Sequence, residues 1–404
     1  MWPPRWGSGL EEIYTLLEPE KHHIDFRVKV RLVNYTNEQR SKANPAMAVE
    51  ALKTIPFQFG ISYHFDEPTE MCDIVFPEPS WLERWEVRNP SIGRYEYDAC
   101  KDSMSGYTGL RHPVVEPLYN TKDWGDAMME LADKMGMLAQ WNDAVNRTLR
   151  LGDEYLLEPD KKYEWKDVLD RQLKTSVGEE FGVEYFRVNG PKGRPAKGRA
   201  DWYAFTKNPT ARQPLYDEWV VWVARQYRAD RKKAGLPEIP VVAGTEIDVY
   251  SELIPLPEWK GRGPLDEAAP EYDLYAVNFQ DVFGAMCMAM DNPWLHEFAT
   301  RFNPYTMAVW INTATAQKRG VSTGDRIKVT SQFGHTVEGE ALVTEAIHPE
   351  CIGIGGCYGS YSANVNPIAR EGTHFNALMS SDPAHWDPWS GNPELSPKVK
   401  VYKA

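Results

Sequence analysis

The chain has 404 residues, 42% of them hydrophobic and 25% charged, with a net charge of −13. That length allows two or three domains with sizeable cores. The negative balance excludes general nucleic-acid binding and docking on an anionic membrane, which both need a basic face, and no apolar run reaches the roughly 18 residues a membrane helix requires.

Thirty prolines and fifteen tryptophans point to many irregular, aromatic-packed connections. The opening Met1-Trp2-Pro3-Pro4-Arg5-Trp6-Gly7 has neither the apolar centre nor the small-residue cleavage site of a secretory signal, and it reads as an internal stretch of a longer protein. Residues 26–36 alternate apolar and basic side chains and end near Asn34, the period of a half-buried strand. Asn44-Pro45 opens a helix over 46–54, with proline at a tolerated first-turn position. Phe57–Tyr63 and Asp73–Phe76 are further strands, so the segment reads as α/β with parallel pairing. Residues 123–138 place Ala127, Met128, Leu131, Met135 and Leu138 on one helical face, with Gly136 near the end.

From 141 to 270 the pattern loosens into an irregular, helical connecting region. Trp165–Leu169 and Trp219–Ala224 are helical, and 225–233 form the solvated, cationic end of a helix. Gly190–Arg199 is a basic, glycine-rich surface loop. Strands dominate from 272 onward. They include Tyr272–Asn278, a hairpin of Ile327–Ser331 and Val337–Thr344 around Phe333-Gly334-His335, and Cys351–Gly356. Val337, Gly339, Ala341 and Val343 share one face, and small residues there suit a curved barrel wall.

The standard catalytic motifs are missing. The sequence has no G-x-S-x-G elbow, no G-x-G-x-x-G after a strand, no Walker loop and no H-x-x-x-H pair. The five cysteines (Cys72, Cys100, Cys287, Cys351 and Cys357) form no C-x-x-C pair, so they read as buried thiols rather than ligands of a zinc ion or iron–sulfur cluster. Loop asparagines and histidines in the last third stand out: Asn278, Asn292, His296, Asn364, Asn366, His374 and Asn376. Asparagine both donates and accepts, which suits heterocycle edges such as pterin or guanine. Loop asparagines also serve turns.

Three motifs in order carry a family resemblance. Pro68-Thr69-Glu70-Met71-Cys72-Asp73-Ile74-Val75-Phe76-Pro77, continuing to Leu82-Glu83, is similar to the "T-E-T-x-x-A-D-I-V-L-P … L-E" signature of the molybdopterin oxidoreductases (the dimethyl-sulfoxide-reductase family), with Pro68, Cys72 and Phe76 as departures. Arg111-His112-Pro113-Val114-Val115-Glu116-Pro117 resembles that family's "R-Q-P-V-V-E-P". In the tail, Asn303-Pro304, Trp310-Ile311-Asn312, Gly324-Asp325 and Asn376-Ala377-Leu378 fall in the family's order. Asn292-Pro293-Trp294-Leu295 looks more like the polysulfide, thiosulfate, arsenate and phenylacetyl-CoA-type members.

The resemblance implies an α/β Rossmann-like domain over 1–140 and a six-stranded double-psi β-barrel over 271–404, joined by 141–270. It implies bis-molybdopterin guanine dinucleotide with molybdenum or tungsten. By position it makes Asn34 and His64 nucleotide contacts, and Asn278, Asn292, Asn366, His374 and Asn376 pterin contacts. Nothing matches the family's first half, which holds the iron–sulfur motif and the metal ligand, so no catalytic residue and no metal ligand is named. The implied partners are that N-terminal half and an iron–sulfur electron-transfer subunit. A targeting signal would lie in the same missing half, leaving cytoplasmic and periplasmic locations open. Two function classes follow: the C-terminal portion of a two-electron oxidoreductase, inactive alone, or a non-catalytic pterin-nucleotide-binding or assembly subunit.

Overall fold

The computed structural model describes residues 10–22, 24–88, 95–98, 103–193, 197–198, 216–235, 253–256, 258, 266–281, 284, 292–303, 305–387 and 391–404. The opening residues 1–7, Cys100, Cys287, and parts of the basic loop expected over 190–199 lie outside them.

In chain order the first elements are α1 (Leu10–Leu17), β1 (Val30–Asn34), α2 (Glu38–Ser41), α3 (Pro45–Leu52), β2 (Phe57–Ser62), α4 (Glu67–Glu70) and β3 (Ile74–Pro77). Next come β4 (Glu86–Arg88), β5 (Tyr95–Asp98), β6 (Ser103–Arg111), α5 (Trp124–Lys134), α6 (Leu138–Leu149), α7 (Trp165–Val177), α8 (Val183–Asn189), β7 (Lys192–Gly193), β8 (Lys197–Gly198) and α9 (Glu218–Lys233). The last are β9 (Leu274–Phe279), α10 (Pro293–Phe302), β10 (Val309–Ile311), α11 (Thr313–Arg319), β11 (Arg326–Ser331), β12 (Thr336–Val343), β13 (Cys351–Gly355) and β14 (Lys398–Lys403).

The chain divides into two compact units. One comprises the described residues of 1–60, 64–75 and 214–404; the other comprises those of 61–63 and 76–213.

In the first unit six strands close a mixed barrel in the order β10-β12-β11-β14-β9-β13. β10 runs parallel to β12, with Val309 opposite Ala341, and antiparallel to β13, with Val309 opposite Ile354. β13 runs parallel to β9 and pairs Ile354 with Asn278. A barrel this narrow fills its interior with side chains. Val309, Ile311, Ile327, Val329, Ala341, Ile352, Ile354 and Val399 do so here, all essentially inaccessible. Each buried aliphatic side chain of this size contributes about 1.5–3 kcal/mol. Leu10 and Ile13 of α1 and Ala48 and Ala51 of α3 join the same core.

Gly339 faces inward on β12. A Cβ there would stand 2.3 Å from Thr373 Oγ1 and 2.7 Å from Val309 Cγ2. The run of small residues read from the sequence is therefore a steric requirement.

A three-stranded sheet runs in the order β1-β2-β3; β1 and residues 57–60 and 74–75 of the other two strands belong to this unit. The first strand is shorter than the alternating pattern of 26–36 suggests. Its ladder begins at Val30, and residues 24–29 carry no regular structure.

In the second unit, α5 stops at Lys134 rather than running to 138. Gly136 adopts φ +68, a left-handed turn that ends one helix before α6 begins at Leu138. Trp165 lies flat on Gly125, where a Cβ would fall 2.1 Å from the indole ring. Within 190–199, two short strands pair with β6: Lys192–Gly193 opposite Thr108 and Tyr107, and Lys197–Gly198 opposite Met104 and Ser103.

Gly339→Val tests the barrel interior. Overpacking of this kind costs about 1–3 kcal/mol, so the urea midpoint should drop clearly, whereas Gly193→Ala, where a Cβ meets open space, should leave it unchanged.

Candidate functional site

Two segments far apart in sequence meet inside the first unit: 37–71, and the stretch 355–381 that follows β13. Local chemistry fixes each. Asn37 caps α2 by accepting from Arg40 N at 3.1 Å. Asp66 caps α4 in a capping box, in which Asp66 N donates to Thr69 Oγ1 at 2.7 Å and Thr69 N donates to Asp66 Oδ1 at 3.4 Å. After β13 the chain is too crowded for side chains at its glycines. A Cβ on Gly355 would sit 2.4 Å from Thr306 O, and one on Gly372 (φ +84) would sit 2.7 Å from Tyr358 Cβ.

The segments are joined by a polar seam. His374 Nε2 lies 3.1 Å from Arg40 O, and Asn376 Nδ2 donates to the same oxygen at 2.7 Å. A carbonyl can only accept, so His374 carries its proton on Nε2 and presents Nδ1 as an acceptor. The Arg40 guanidinium donates to Cys357 O, on a residue held at φ +72. Glu67 Oε1 accepts from Ser360 Oγ at 2.5 Å and Tyr361 N at 3.1 Å, while Asn37 Nδ2 donates to Glu67 Oε2 at 2.8 Å. Glu70 accepts from Ser362 Oγ and, at 2.7 Å, from Asn364 Nδ2.

The electrostatics follow from one buried cation. Arg40 is 3% exposed, and among the described residues no carboxylate pairs with it at ion-pair distance. Burial pushes the Glu67 carboxyl up, but the bonds from Ser360 and Asn37 and the nearby Arg40 charge outweigh it, and its pKa lies below the ordinary value. Asp66 also accepts from Asn37 Nδ2, at 3.2 Å, but this does not offset its burial. Burial, reinforced by neighbouring Glu67, raises it to about 6 despite its bonds with Thr69. Burial, aided by the Arg40 charge, lowers His374 to about 4. His296, 1% exposed, is shifted down for the same two reasons, and both of its ring nitrogens lack a hydrogen-bond partner.

The structure distributes the sequence-predicted residues unevenly. His374 and Asn376 converge on Arg40. Asn34 ends β1 just before a left-handed Tyr35 (φ +49), with its buried Nδ2 unpartnered. Asn278 lies exposed on β9, beside Gly356, where a Cβ would be 3.1 Å from Asn278 Oδ1. His64 lies in the turn before α4, its carbonyl 3.5 Å from Thr69 Oγ1. Two asparagines already serve as helix caps. Asn292 Oδ1 accepts from Trp294 N at 3.0 Å and Leu295 N at 3.3 Å, and Asn366 Oδ1 accepts from Ile368 N at 3.2 Å. Their amide nitrogens alone remain for other contacts.

Residues 281–398 match the family described as "Molydopterin dinucleotide binding domain". The chain is 22% identical, over 88% of its length, to the arsenate respiratory reductase molybdopterin-containing subunit of Chrysiogenes arsenatis, covering 43% of that protein. It is 22% identical, over 92% of its length, to the thiosulfate reductase molybdopterin-containing subunit of Salmonella typhimurium, again covering 43%. The chain thus carries a molybdopterin-dinucleotide-binding domain and is similar to the molybdopterin oxidoreductases of the dimethyl-sulfoxide-reductase family. It corresponds to their C-terminal region and spans under half the length of these relatives. Acetylene hydratase from Pelobacter acetylenicus shares the fold, with a TM-score of 0.63 at 17% identity over 98% of this chain and 46% of that one.

The cofactor of these molybdopterin oxidoreductases is bis-molybdopterin guanine dinucleotide with molybdenum or tungsten. It is anionic and rimmed with acceptors, so a site for it needs spare donors. Two are present in this unit: Arg40 Nε in the seam and Asn34 Nδ2 at the end of β1 are both buried without a partner. The residues present therefore fit the group. Reading the sequence as a molybdopterin oxidoreductase did not single out Arg40, Glu67, Ser360 or Tyr361. The capping-box spacing from Asp66 to Thr69 was the available signal for the Glu67 turn.

The two shifted groups of the seam pull stability in opposite directions with pH. His374 titrates at 6.5 when unfolded and about 4 when folded. Below pH 6.5 the unfolded chain takes up a proton that the folded one refuses, so stability falls as the pH drops toward about 4. Asp66 goes from 3.8 unfolded to about 6 folded, so its contribution is full below pH 3.8 and is lost as the pH rises through about 6. His374→Gln should therefore gain on the wild type as the pH falls through its window, by up to about 1.4 kcal/mol per pH unit, and Asp66→Asn should lose ground over its own. Urea midpoints between pH 4 and 7 read both slopes, and equal slopes in the two variants would contradict the assignment.

Proposed function

We propose that this chain is the cofactor-covering portion of a two-electron molybdenum or tungsten oxidoreductase acting on a small substrate. It is inactive until joined by the part of the family sequence it does not match. The barrel is the double-psi lid over the pterins, and the β1-β2-β3 sheet belongs to a Rossmann-like layer holding one guanine nucleotide. The likeness to molybdopterin-containing subunits supports this reading. What carries it is the unpartnered donor Arg40 Nε, on the residue whose carbonyl His374 and Asn376 hold, together with the unpartnered Asn34 Nδ2 at the end of β1.

The bound group supplies the redox chemistry, through its metal and dithiolenes. The chain's residues bind, orient and exclude water. His374 is neutral at physiological pH and offers Nδ1 as an acceptor, while Asn376 keeps its carbonyl oxygen free of the bond to Arg40. Asn34 and Arg40 supply donors, and Asn278, beside Gly356, supplies a further polar contact. His64 is assigned to the nucleotide, and the free amide groups of Asn292 and Asn366 to the pterin edges. In the complete enzyme, electrons leave through an iron–sulfur subunit.

Co-expression with a polypeptide spanning the unmatched part of the family sequence, followed by metal analysis and release of oxidised pterin, tests the reading. The wild-type pair should contain molybdenum or tungsten with pterin and show redox activity that the lone chain lacks. Asn34→Ala should lower pterin retention about tenfold, the loss of one buried hydrogen bond of ~1.4 kcal/mol. A stable pair without pterin overturns the proposal. Metal-free pterin held by the lone chain favours an assembly subunit instead.

A further inference from the structure

Tyr361 stands out of the polar seam. It lies between two buried serines, Ser360 at 4% and Ser362 at 1% exposure, yet is itself 50% exposed. Its backbone is fixed. Tyr361 N donates to Glu67 Oε1 at 3.1 Å, Ser360 Oγ donates to the same oxygen at 2.5 Å, and Ser360 N donates to Ala369 O at 3.1 Å. On the other side Ser362 Oγ donates to Glu70. The chain is therefore tied down on both flanks of a ring that it leaves in solvent.

The ring is held as well. It layers over the His374 imidazole, with centroids 6.4 Å apart and planes inclined by 28°, within the offset range that aromatic pairs prefer. His374 is in turn fixed on Arg40 O at 3.1 Å. One face of the phenol thus rests on an anchored imidazole, and the other is open. Burial, reinforced by Glu67 and Glu70, pushes the Tyr361 hydroxyl above its ordinary range, so the ring stays a neutral phenol. The Arg40 charge is close enough to oppose that shift, and Arg40 Nε is buried without a partner.

An exposed tyrosine by itself needs no explanation. This one differs in being rigid. Fixing an aromatic face in water loses side-chain freedom and gains little buried area, whereas a flat ligand laid on it finds the surface already organised. The surroundings choose the class of ligand. A stack on the open face takes any planar ring. The polar edge of a heterocycle matches the Arg40 donor and the Asn376 carbonyl oxygen, and an aliphatic group would leave both unmet.

We propose that Tyr361 is a stacking platform for the planar fused heterocycle, pterin or guanine, of the anionic dinucleotide. The inference rests on the functional reading above and adds to it a residue that acts through its π-face rather than through hydrogen bonds.

The test titrates the full 404-residue chain with 6-hydroxymethylpterin and, separately, with GDP, by equilibrium dialysis. Whichever ring belongs on the platform should bind the wild type, and the preference between the two probes identifies it. Tyr361→Leu should bind that probe at least about fivefold more weakly, the low end of what one base–aromatic stack contributes, while Tyr361→Phe should stay within about twofold. Tyr361→Trp, with its larger face, should bind more tightly, a gain that no folding defect produces. Urea midpoints of all four proteins should coincide. Binding of neither probe at millimolar concentration, or equal binding by Tyr361→Leu and the wild type, overturns the platform. A co-expressed pair whose pterin content is the same with Tyr361→Leu as with the wild type also overturns it and leaves the cofactor reading intact. A pair without pterin, beside a lone chain that binds GDP through Tyr361, overturns the cofactor reading alone.

Discussion

Arg40 is the hinge of the polar seam in the first unit. Its carbonyl is gripped by His374 and Asn376, and its guanidinium bonds the carbonyl of Cys357. These contacts join positions more than three hundred residues apart. Burying a guanidinium without a carboxylate partner is expensive, so the surroundings must compensate with dipoles and with a negative charge close enough to feel it. Glu67 fills the second role at longer range, held ionised by Ser360 and Asn37. The two segments cannot separate without exposing or orphaning several of these groups at once.

The same arrangement sets which groups carry protons. Burial, aided by the Arg40 charge, suppresses protonation of His374 and His296 and keeps both imidazoles neutral at physiological pH, so they can act as acceptors. Asp66, buried one residue from Glu67, takes the opposite course and moves toward neutrality. Two adjacent carboxyls thus have different fates because Glu67 has a nearby cation and donors from Ser360, Tyr361 and Asn37, while Asp66 has its cap and one longer bond from Asn37. The outcome is a seam that offers donors and neutral acceptors beside one ionised carboxylate.

The barrel gives the seam its rigidity. Its interior is filled by aliphatic side chains in close contact, and the loop after β13 starts from a strand with no freedom to shift, since Gly355 already lies against Thr306 O. α1 and α3 pack into the same core, which fixes the entry of the chain into α2 and so the position of Arg40.

Much of this was legible in the sequence. Strict alternation in 326–343 gave the hairpin, glycine at 339 gave the curved wall, and Asn44-Pro45 gave a helix start, because period and capping are local properties. Three ordered motifs gave the family and hence the cofactor. The limits of local patterns were equally physical. The helix expected over 123–138 breaks because Gly136 tolerates a left-handed turn that apolar spacing does not register. Asn292 and Asn366 look like Asn376 in sequence but cap helices with the oxygens that a ligand would use. What the sequence determined by itself was the set of elements and the class of ligand, since both depend on neighbours a few residues apart. Only the tertiary structure decided that Arg40 lies under His374 and Asn376 and that Asp66 and Glu67 titrate differently. Those are consequences of burial and of contacts across the whole chain.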